Sequence, residues 1–270
     1  MQLNKSMIKY AYCKEVIENK SSNWILAPFI KKGATEFSSV ADIPSDYVLI
    51  SCHHPPWRSP YKEWIAKGNN HIEIDYGYWG VNNPRRNTRR VTYNGSHNLN
   101  MRPVPSSRLY TLNPRIKKWQ KKRGDTLLII EPQQGIIFER TGVTLGDWKL
   151  NIEKQIREFW DGPIKFRRKS GGKNPARWPT FLEDLAASHA VIGERTMACV
   201  EAVMCGIPAY TVDHSAVSLL MGNDITQIKN PQFPDRTEWL EHIAWSQFTP
   251  EEFANDTFVV DCLESYQIGV

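Results

Sequence analysis

The sequence predicts an α/β protein in two parts, on three observations. After residue 123, short apolar strands alternate with helical segments across short loops, the pattern of a parallel sheet covered by helices. Before that point, short apolar runs each end in a breaker and the spacing is irregular. Between the two lies the basic stretch RIKKWQKKR at 115–123, where the organisation changes. The expected division is 1–123, an N-terminal acceptor-side domain, then 124–250, a C-terminal ligand-binding domain. Residues 251–270 would form a C-terminal segment that packs back on the N-terminal domain. At 270 residues and 41% hydrophobic, the chain can bury one large core or two small ones.

In the N-terminal half, Trp24–Phe29 and Tyr47–Ser51 read as buried strands. The first is followed by Lys31-Lys32-Gly33 and the second by His53-His54-Pro55-Pro56. Tyr61–Ala66 reads as a helix. His71-Ile72-Glu73-Ile74-Asp75 alternates strictly, so His71, Glu73 and Asp75 share one strand face. It runs into Tyr76-Gly77-Tyr78-Trp79-Gly80, where backbone must approach something closely. Residues 81–108, rich in Asn, Arg and Pro, read as a long loop.

The C-terminal half is better specified. Leu127–Ile130 is a buried strand. In Asp147–Trp160, Trp148, Ile152, Ile156 and Phe159 fall on one helical face until Gly162-Pro163 breaks the pattern. Then come a strand at Ile164–Phe166, a helix at Phe181–Ala187, a strand at Ala190–Gly193, a helix at Met197–Cys205 and a strand at Ala209–Val212.

Composition narrows the function classes. No run of 18 or more apolar residues exists, which argues against a membrane-spanning helix. The start, MQLNKSMIKYAY, lacks the apolar stretch of a signal peptide. Five cysteines, odd in number and never in C-x-x-C spacing, fit buried thiols in a reducing cytoplasm and make a zinc site unexpected. The net charge of +5 is unevenly placed. Arg85, Arg86, Arg89 and Arg90 in RRNTRR, with Lys117, Lys118, Lys121 and Lys122, form the footprint expected for a polyanion. The alternative is a solvated basic face or linker. Ten Trp offer flat faces for stacking on sugars or bases.

In parallel sheets, ligands bind beyond the carboxyl ends of the strands. One candidate loop is Arg167–Gly172, in which Arg168, Lys169 and Ser170 precede two glycines. Guanidinium groups match phosphate bidentately, and glycines let backbone N–H groups approach an anion. The alternative is a basic surface turn. The other candidate is Glu194-Arg195-Thr196, leading into a helix that carries Glu201 and ends before Gly206-Ile207-Pro208. Arg195 and Thr196 lie where the helix dipole favours phosphate. Glu201, a turn further on, could accept bonds from vicinal ribose hydroxyls, or be an exposed helix residue.

The run Ala186-Ala187-Ser188-His189-Ala190-Val191-Ile192-Gly193, with Thr196, Glu201-Ala202 and Gly206-Ile207-Pro208, resembles the C-terminal signature of GT-B fold glycosyltransferases. The resemblance implies two Rossmann-like domains facing a central cleft. It implies that Glu201 holds the ribose, and that Arg168 with Lys169 holds the diphosphate of a nucleotide sugar, UDP-linked and bound without metal. It implies that Thr196 also lies near phosphate; Ser170 and Arg195 join the site on the reading of the two loops alone. The tail, Asp235-Arg236-Thr237-Glu238-Trp239-Leu240 and Trp245-Ser246-Gln247-Phe248-Thr249, is similar to phage members that glycosylate 5-hydroxymethyl pyrimidines in DNA. That similarity implies double-stranded DNA as acceptor. Arg195, where many relatives have a small residue or Asn, and the short N-terminal half depart from the family pattern.

Transfer also needs a general base. Asp75, ending a strand before a glycine–aromatic loop, is the first candidate; its alternative is to cap the following turn. His53, with His54, is the second, and His97 a weaker third. Glu73 and Asp75 also raise a metal reading, against which stands the late position of the nucleotide signature. With DNA as acceptor, Trp57, Tyr78 or Trp79 would stack on an extruded base. Two alternatives remain open: the same enzyme class acting on a polysaccharide or surface glycan, and a non-catalytic nucleic-acid-binding protein on the same scaffold.

Overall fold

The computed structural model describes residues 8–17, 23–52, 58–79, 88–121, 124–168 and 177–269. The chain divides into two compact units, one made of 1–114 with 237–270, the other of 115–236. The chain therefore leaves the first unit, builds the second and returns, and residues 237–250 belong to the first unit along with 251–270.

The first unit holds a six-stranded sheet in the order β10-β5-β4-β3-β1-β2. Its strands are β1 (Lys9–Ile17), β2 (Thr35–Phe37), β3 (Tyr47–Cys52), β4 (His71–Tyr76), β5 (Arg89–Tyr93) and β10 (Gln247–Phe248). The first four run parallel, β5 is antiparallel to β4, and β10 is antiparallel to β5. Around it lie α1 (Asn23–Lys31), α2 (Tyr61–Ala66), α3 (Ser107–Leu112), α9 (Thr237–Ala244), α10 (Pro250–Ala254) and α11 (Phe258–Leu263). The core on one side joins Ile50, Ile72 and Ile74 of the sheet to Phe29 of α1, Phe253 of α10 and Val259, Val260 and Leu263 of α11.

Two segments fold differently from their sequence expectation. Trp24–Phe29 is not a strand but most of α1, with Ile25, Leu26 and Phe29 buried. A short apolar run does not by itself distinguish a buried strand from a buried helix turn, and β1, at 9–17, takes the strand position instead. The stretch 81–108 is not one loop, because β5 lies within it and pairs along β4 from Ile72↔Tyr93 to Tyr76↔Arg89. Its arginines hide the strand: Arg90 is 3% exposed because ion pairs satisfy it.

Arg108 anchors the returning segment. It is 4% exposed and makes a two-pronged ion pair with Glu252 of α10, donates to the Gln247 carbonyl at 2.5 Å and lies over the Phe248 ring at 4.9 Å. Glu252 in turn closes a capping box with Thr249 at the start of α10.

The second unit holds an all-parallel four-stranded sheet in the order β7-β6-β8-β9. Its strands are β6 (Thr126–Ile130), β7 (Ile164–Arg167), β8 (Ser188–Gly193) and β9 (Ala209–Thr211). Its helices are α4 (Gln134–Thr141), α5 (Leu145–Arg157), α6 (Arg177–Ala186), α7 (Met197–Met204) and α8 (Ser218–Met221). β6 and β8 are buried on both faces, which is why Leu-Leu-Ile-Ile and Ala-Val-Ile read as continuous apolar runs. α7 ends at Gly206, whose φ of +81° suits glycine and whose absent Cβ would sit 2.1 Å from the Lys118 carbonyl oxygen. That close approach lets the 117–120 segment hydrogen-bond the end of α7, through Lys117 N–H to Met204 at 2.8 Å and Gln120 N–H to Gly206 at 2.9 Å.

Candidate active site

Because its strands are parallel, the second unit's four carboxyl ends share one edge. In strand order that edge presents Arg168 after β7, Glu131 after β6, Glu194-Arg195-Thr196 after β8 and Asp213 after β9. Arg168 and Thr196 thus follow strands that are separated in the sheet by β6. The sequence-predicted phosphate residues Arg168, Arg195 and Thr196 are brought to one edge. Lys169 and Ser170 lie outside the described residues.

Each side chain has a local cause. Thr196 is the N-cap of α7, its backbone extended and its hydroxyl accepting the Ala198 N–H at 3.3 Å. Arg195 has a φ of +44°, a left-handed conformation uncommon outside glycine. The tight turn around it is possible because Gly193 has no Cβ, which would sit 2.3 Å from Thr196 Cγ2 and 2.8 Å from Cys199 Sγ. Arg168 projects into solvent, with 84% of its side chain exposed and its Nε 3.5 Å from Glu131 Oε2. Its neighbour Arg167 is used structurally, pairing with Asp184 of α6 and lying over Phe181 at 5.2 Å.

Glu201 is not an exposed helix residue. It is 6% exposed, on a helix buried from Cys199 to Met204. That burial sets Glu201 apart from the solvated charges of an exposed helix face.

Lys149, Glu131, Arg140 and Asp213, which the sequence did not single out, complete the edge together with Trp148. Lys149, in the second turn of α5, reaches Glu131 Oε1 at 2.9 Å and lies over the Phe166 ring at 4.4 Å. Trp148 donates its indole N–H to Glu194 Oε2 at 2.9 Å. Arg140, in the last turn of α4, pairs with Glu194 and lies 3.7 Å from Asp213. Arg195 Nε donates to Asp213 Oδ2 at 2.5 Å. Burial opposes ionisation of Asp213, but the Arg195 hydrogen bond and charge, the His214 N–H and the Arg140 charge outweigh it and hold the carboxyl below its usual range. Burial, then the neighbouring Arg195 charge, makes the Arg140 guanidinium easier to deprotonate than usual. A motif scan could have flagged Glu194 and Asp213 only as strand-end carboxylates. Their convergence depends on β8 and β9 being neighbours.

The acceptor-side residues lie in the first unit. Asp75 ends β4, accepts the Tyr76 N–H at 2.7 Å and pairs with Arg90 at 3.3 Å. Arg90 also lies 3.9 Å from Glu73 and over the Tyr78 ring at 5.3 Å. Arg90 is thereby enclosed and does not present its charge to a phosphate, contrary to its place in the basic footprint. Arg89 lies over Trp24 at 5.4 Å and Tyr76 at 4.9 Å. Tyr78 and Trp79 are buried, with both backbone N–H groups donating to Gln247 Oε1, so neither ring is available to stack on a base. His97 is buried too, stacked on Tyr78 with its Nδ1 3.0 Å from the phenol oxygen. His53, His54, Trp57, Arg85, Arg86 and Lys122 lie outside the described residues. Lys117, Lys118 and Lys121 are exposed in the second unit.

Among the described residues no cluster of three or more His, Cys, Asp or Glu is placed to hold a metal ion, and no helix is long and apolar enough to cross a membrane. No protein-family model and no curated protein matches the sequence. Among solved structures, the chain is similar to the Thermosulfurimonas dismutans KpsC beta Kdo 2,7 transferase. That alignment has a TM-score of 0.51 at 10% identity and covers 93% of this chain and 99% of that one. The beta Kdo 2,4 transferase of the same organism's KpsC aligns at 9% identity with a TM-score of 0.48, covering 89% and 92%. The chain therefore shares its α/β fold, built on two parallel-rich sheets, with that KpsC structure.

Proposed function

We propose that this protein is a glycosyltransferase that takes a nucleotide-activated sugar at the carboxyl edge of the four-stranded sheet and passes the sugar to a hydroxyl of a glycan. The observation that carries this is that Arg168, Arg195 and Thr196 all follow carboxyl ends of the same parallel sheet, in a chain that follows a Kdo transferase's fold over nearly its whole length.

In this reading the α7 N-terminus and the Arg168 and Arg195 guanidiniums take the donor phosphate, and Glu201 takes the ribose. The acceptor oxygen attacks the anomeric carbon, the bond from that carbon to the phosphate oxygen breaks, and the nucleotide leaves as the anion. The acceptor proton passes to a general base, for which Asp75 and His53 are the candidates. The leaving phosphate gains charge as the bond breaks, so cations already fixed at the edge favour the transition state over the ground state.

The likeness to a Kdo transferase supports an acidic sugar and a glycan acceptor. A DNA acceptor and a UDP donor draw no such support, and burial of Arg90, Tyr78 and Trp79 removes three members of the expected DNA surface. The test is to incubate the purified protein with CMP-Kdo, or with UDP-hexoses, in the presence of Kdo-bearing oligosaccharides or of hydroxymethylated DNA, and weigh the products. A Kdo-sized mass increase on the oligosaccharide is expected. Transfer to DNA alone would overturn the acceptor, and no transfer or donor hydrolysis with any pair would overturn the enzyme.

A further inference from the structure

Four charged groups crowd the β8–β9 end of the sheet edge, and they are not equally committed. Glu194 is the permanent partner. Its side chain is 7% exposed, paired with Arg140 and fixed from the other side by the Trp148 indole N–H. Asp213 and Arg195 face solvent more, with 28% and 38% of their side chains exposed. Asp213 stands between two guanidiniums, 2.5 Å from Arg195 Nε and 3.7 Å from Arg140. Two arginines held this close repel unless an anion lies between them. Glu194 neutralises one, and Asp213 serves as the anion for the pair.

We propose that Arg140 and Arg195 form an anion-binding pair whose resting counterion is Asp213, and that an anionic group of the ligand takes Asp213's place. The ligand group is one with two or more oxygens able to meet a guanidinium fork, a phosphate or a carboxylate. The inference rests on the donor site proposed above and adds to it Arg140 as a binding residue and Asp213 as an internal competitor. An exchange of one anion for another costs little, because the two cations are never left without a partner. It also makes the site selective: a neutral ligand gains nothing here, since it would have to separate the arginines from Asp213 without replacing its charge.

The two roles open to Asp213 predict opposite signs. A residue that only braces the Arg195 turn should weaken ligand binding when removed. A competitor should strengthen it. Titration calorimetry on the full chain with inorganic pyrophosphate, CMP and free Kdo as probes separates them. Asp213→Asn is expected to tighten anion binding roughly 10-fold and Arg140→Gln to weaken it roughly 10-fold or more, the scale of one charge-assisted hydrogen bond. A response with pyrophosphate and CMP alone assigns the pair to phosphate, and a response with Kdo alone assigns it to the sugar carboxylate. A response with all three supports the pair as a general anion site.

Equal or weaker binding by Asp213→Asn to every probe overturns the proposal, as does unchanged binding by Arg140→Gln. Should Asp213→Asn fail to fold, the wild type still decides. The Arg195 Nε–H resonance, identified by its loss in Arg195→Lys, must shift when pyrophosphate or Kdo is added, and an unmoved resonance refutes the exchange. The predicted order of affinities without any sugar transfer would sink the enzyme reading and leave the anion pair standing. Transfer without that order would do the reverse.

Discussion

Replacing Glu201 by Gln should weaken nucleotide binding by one to two orders of magnitude while leaving the shape of the site intact. Glu201 is 6% exposed on a helix that is buried along most of its length, so water does not compete strongly for its oxygens. Two hydrogen bonds from vicinal ribose hydroxyls to a carboxylate are charge-assisted, each worth about 1.5–3 kcal/mol. Gln keeps the volume and one acceptor oxygen but turns the other acceptor into a donor and removes the charge. The expected loss is therefore about one such bond, a factor of roughly 10 to 150 in Kd.

The assay is a cycle, with wild type and Glu201→Gln each titrated with CMP and with 2′-deoxy-CMP. If the carboxylate holds the ribose, removing the 2′-hydroxyl should cost the wild type about 1 kcal/mol or more and the variant much less. Independent, additive losses from the two changes would show that Glu201 does not touch the ribose. Its burial would then be structural.

Three further predictions follow from the same structure. Arg108→Met should destabilise the protein by about 3–5 kcal/mol in denaturant unfolding, because it leaves Glu252 without its buried partner; a loss below about 1 kcal/mol would contradict the anchoring role. Thr196→Ala should cost about 1 kcal/mol of stability by removing the α7 cap, with Thr196→Ser restoring it, and equal stability of all three would refute the cap. Burial pushes the Tyr78 hydroxyl up to about 12, so the folded chain keeps this proton after the unfolded chain has lost it near 10. Its contribution to stability is thus present below pH 10 and is lost as pH rises towards 12, by about 1.4 kcal/mol per pH unit. Tyr78→Phe should flatten the fall in stability between pH 10 and 12, and an unchanged fall would show that another group governs it.

The second unit's strand–helix alternation and the place of its strand-end loops were legible in the sequence. Those features are local. The apolar run Leu127–Ile130 forms the expected strand, Thr196 caps the helix that starts at the next residue, and Gly206 permits the left-handed turn that follows it. Which charges meet depends on the folded chain. Lys149 finds Glu131 18 positions away, Arg195 finds Asp213 at the same separation, and Arg108 finds Glu252 across 144. The tertiary structure also decided that Trp24–Phe29 would be helical and that the arginine-rich 89–93 would be a strand, because a sheet already supplied by β1 and β4 fixed what each segment had to pair with. Propensity acts within a few residues, whereas an ion pair or a strand register exists only once distant parts of the chain are brought together.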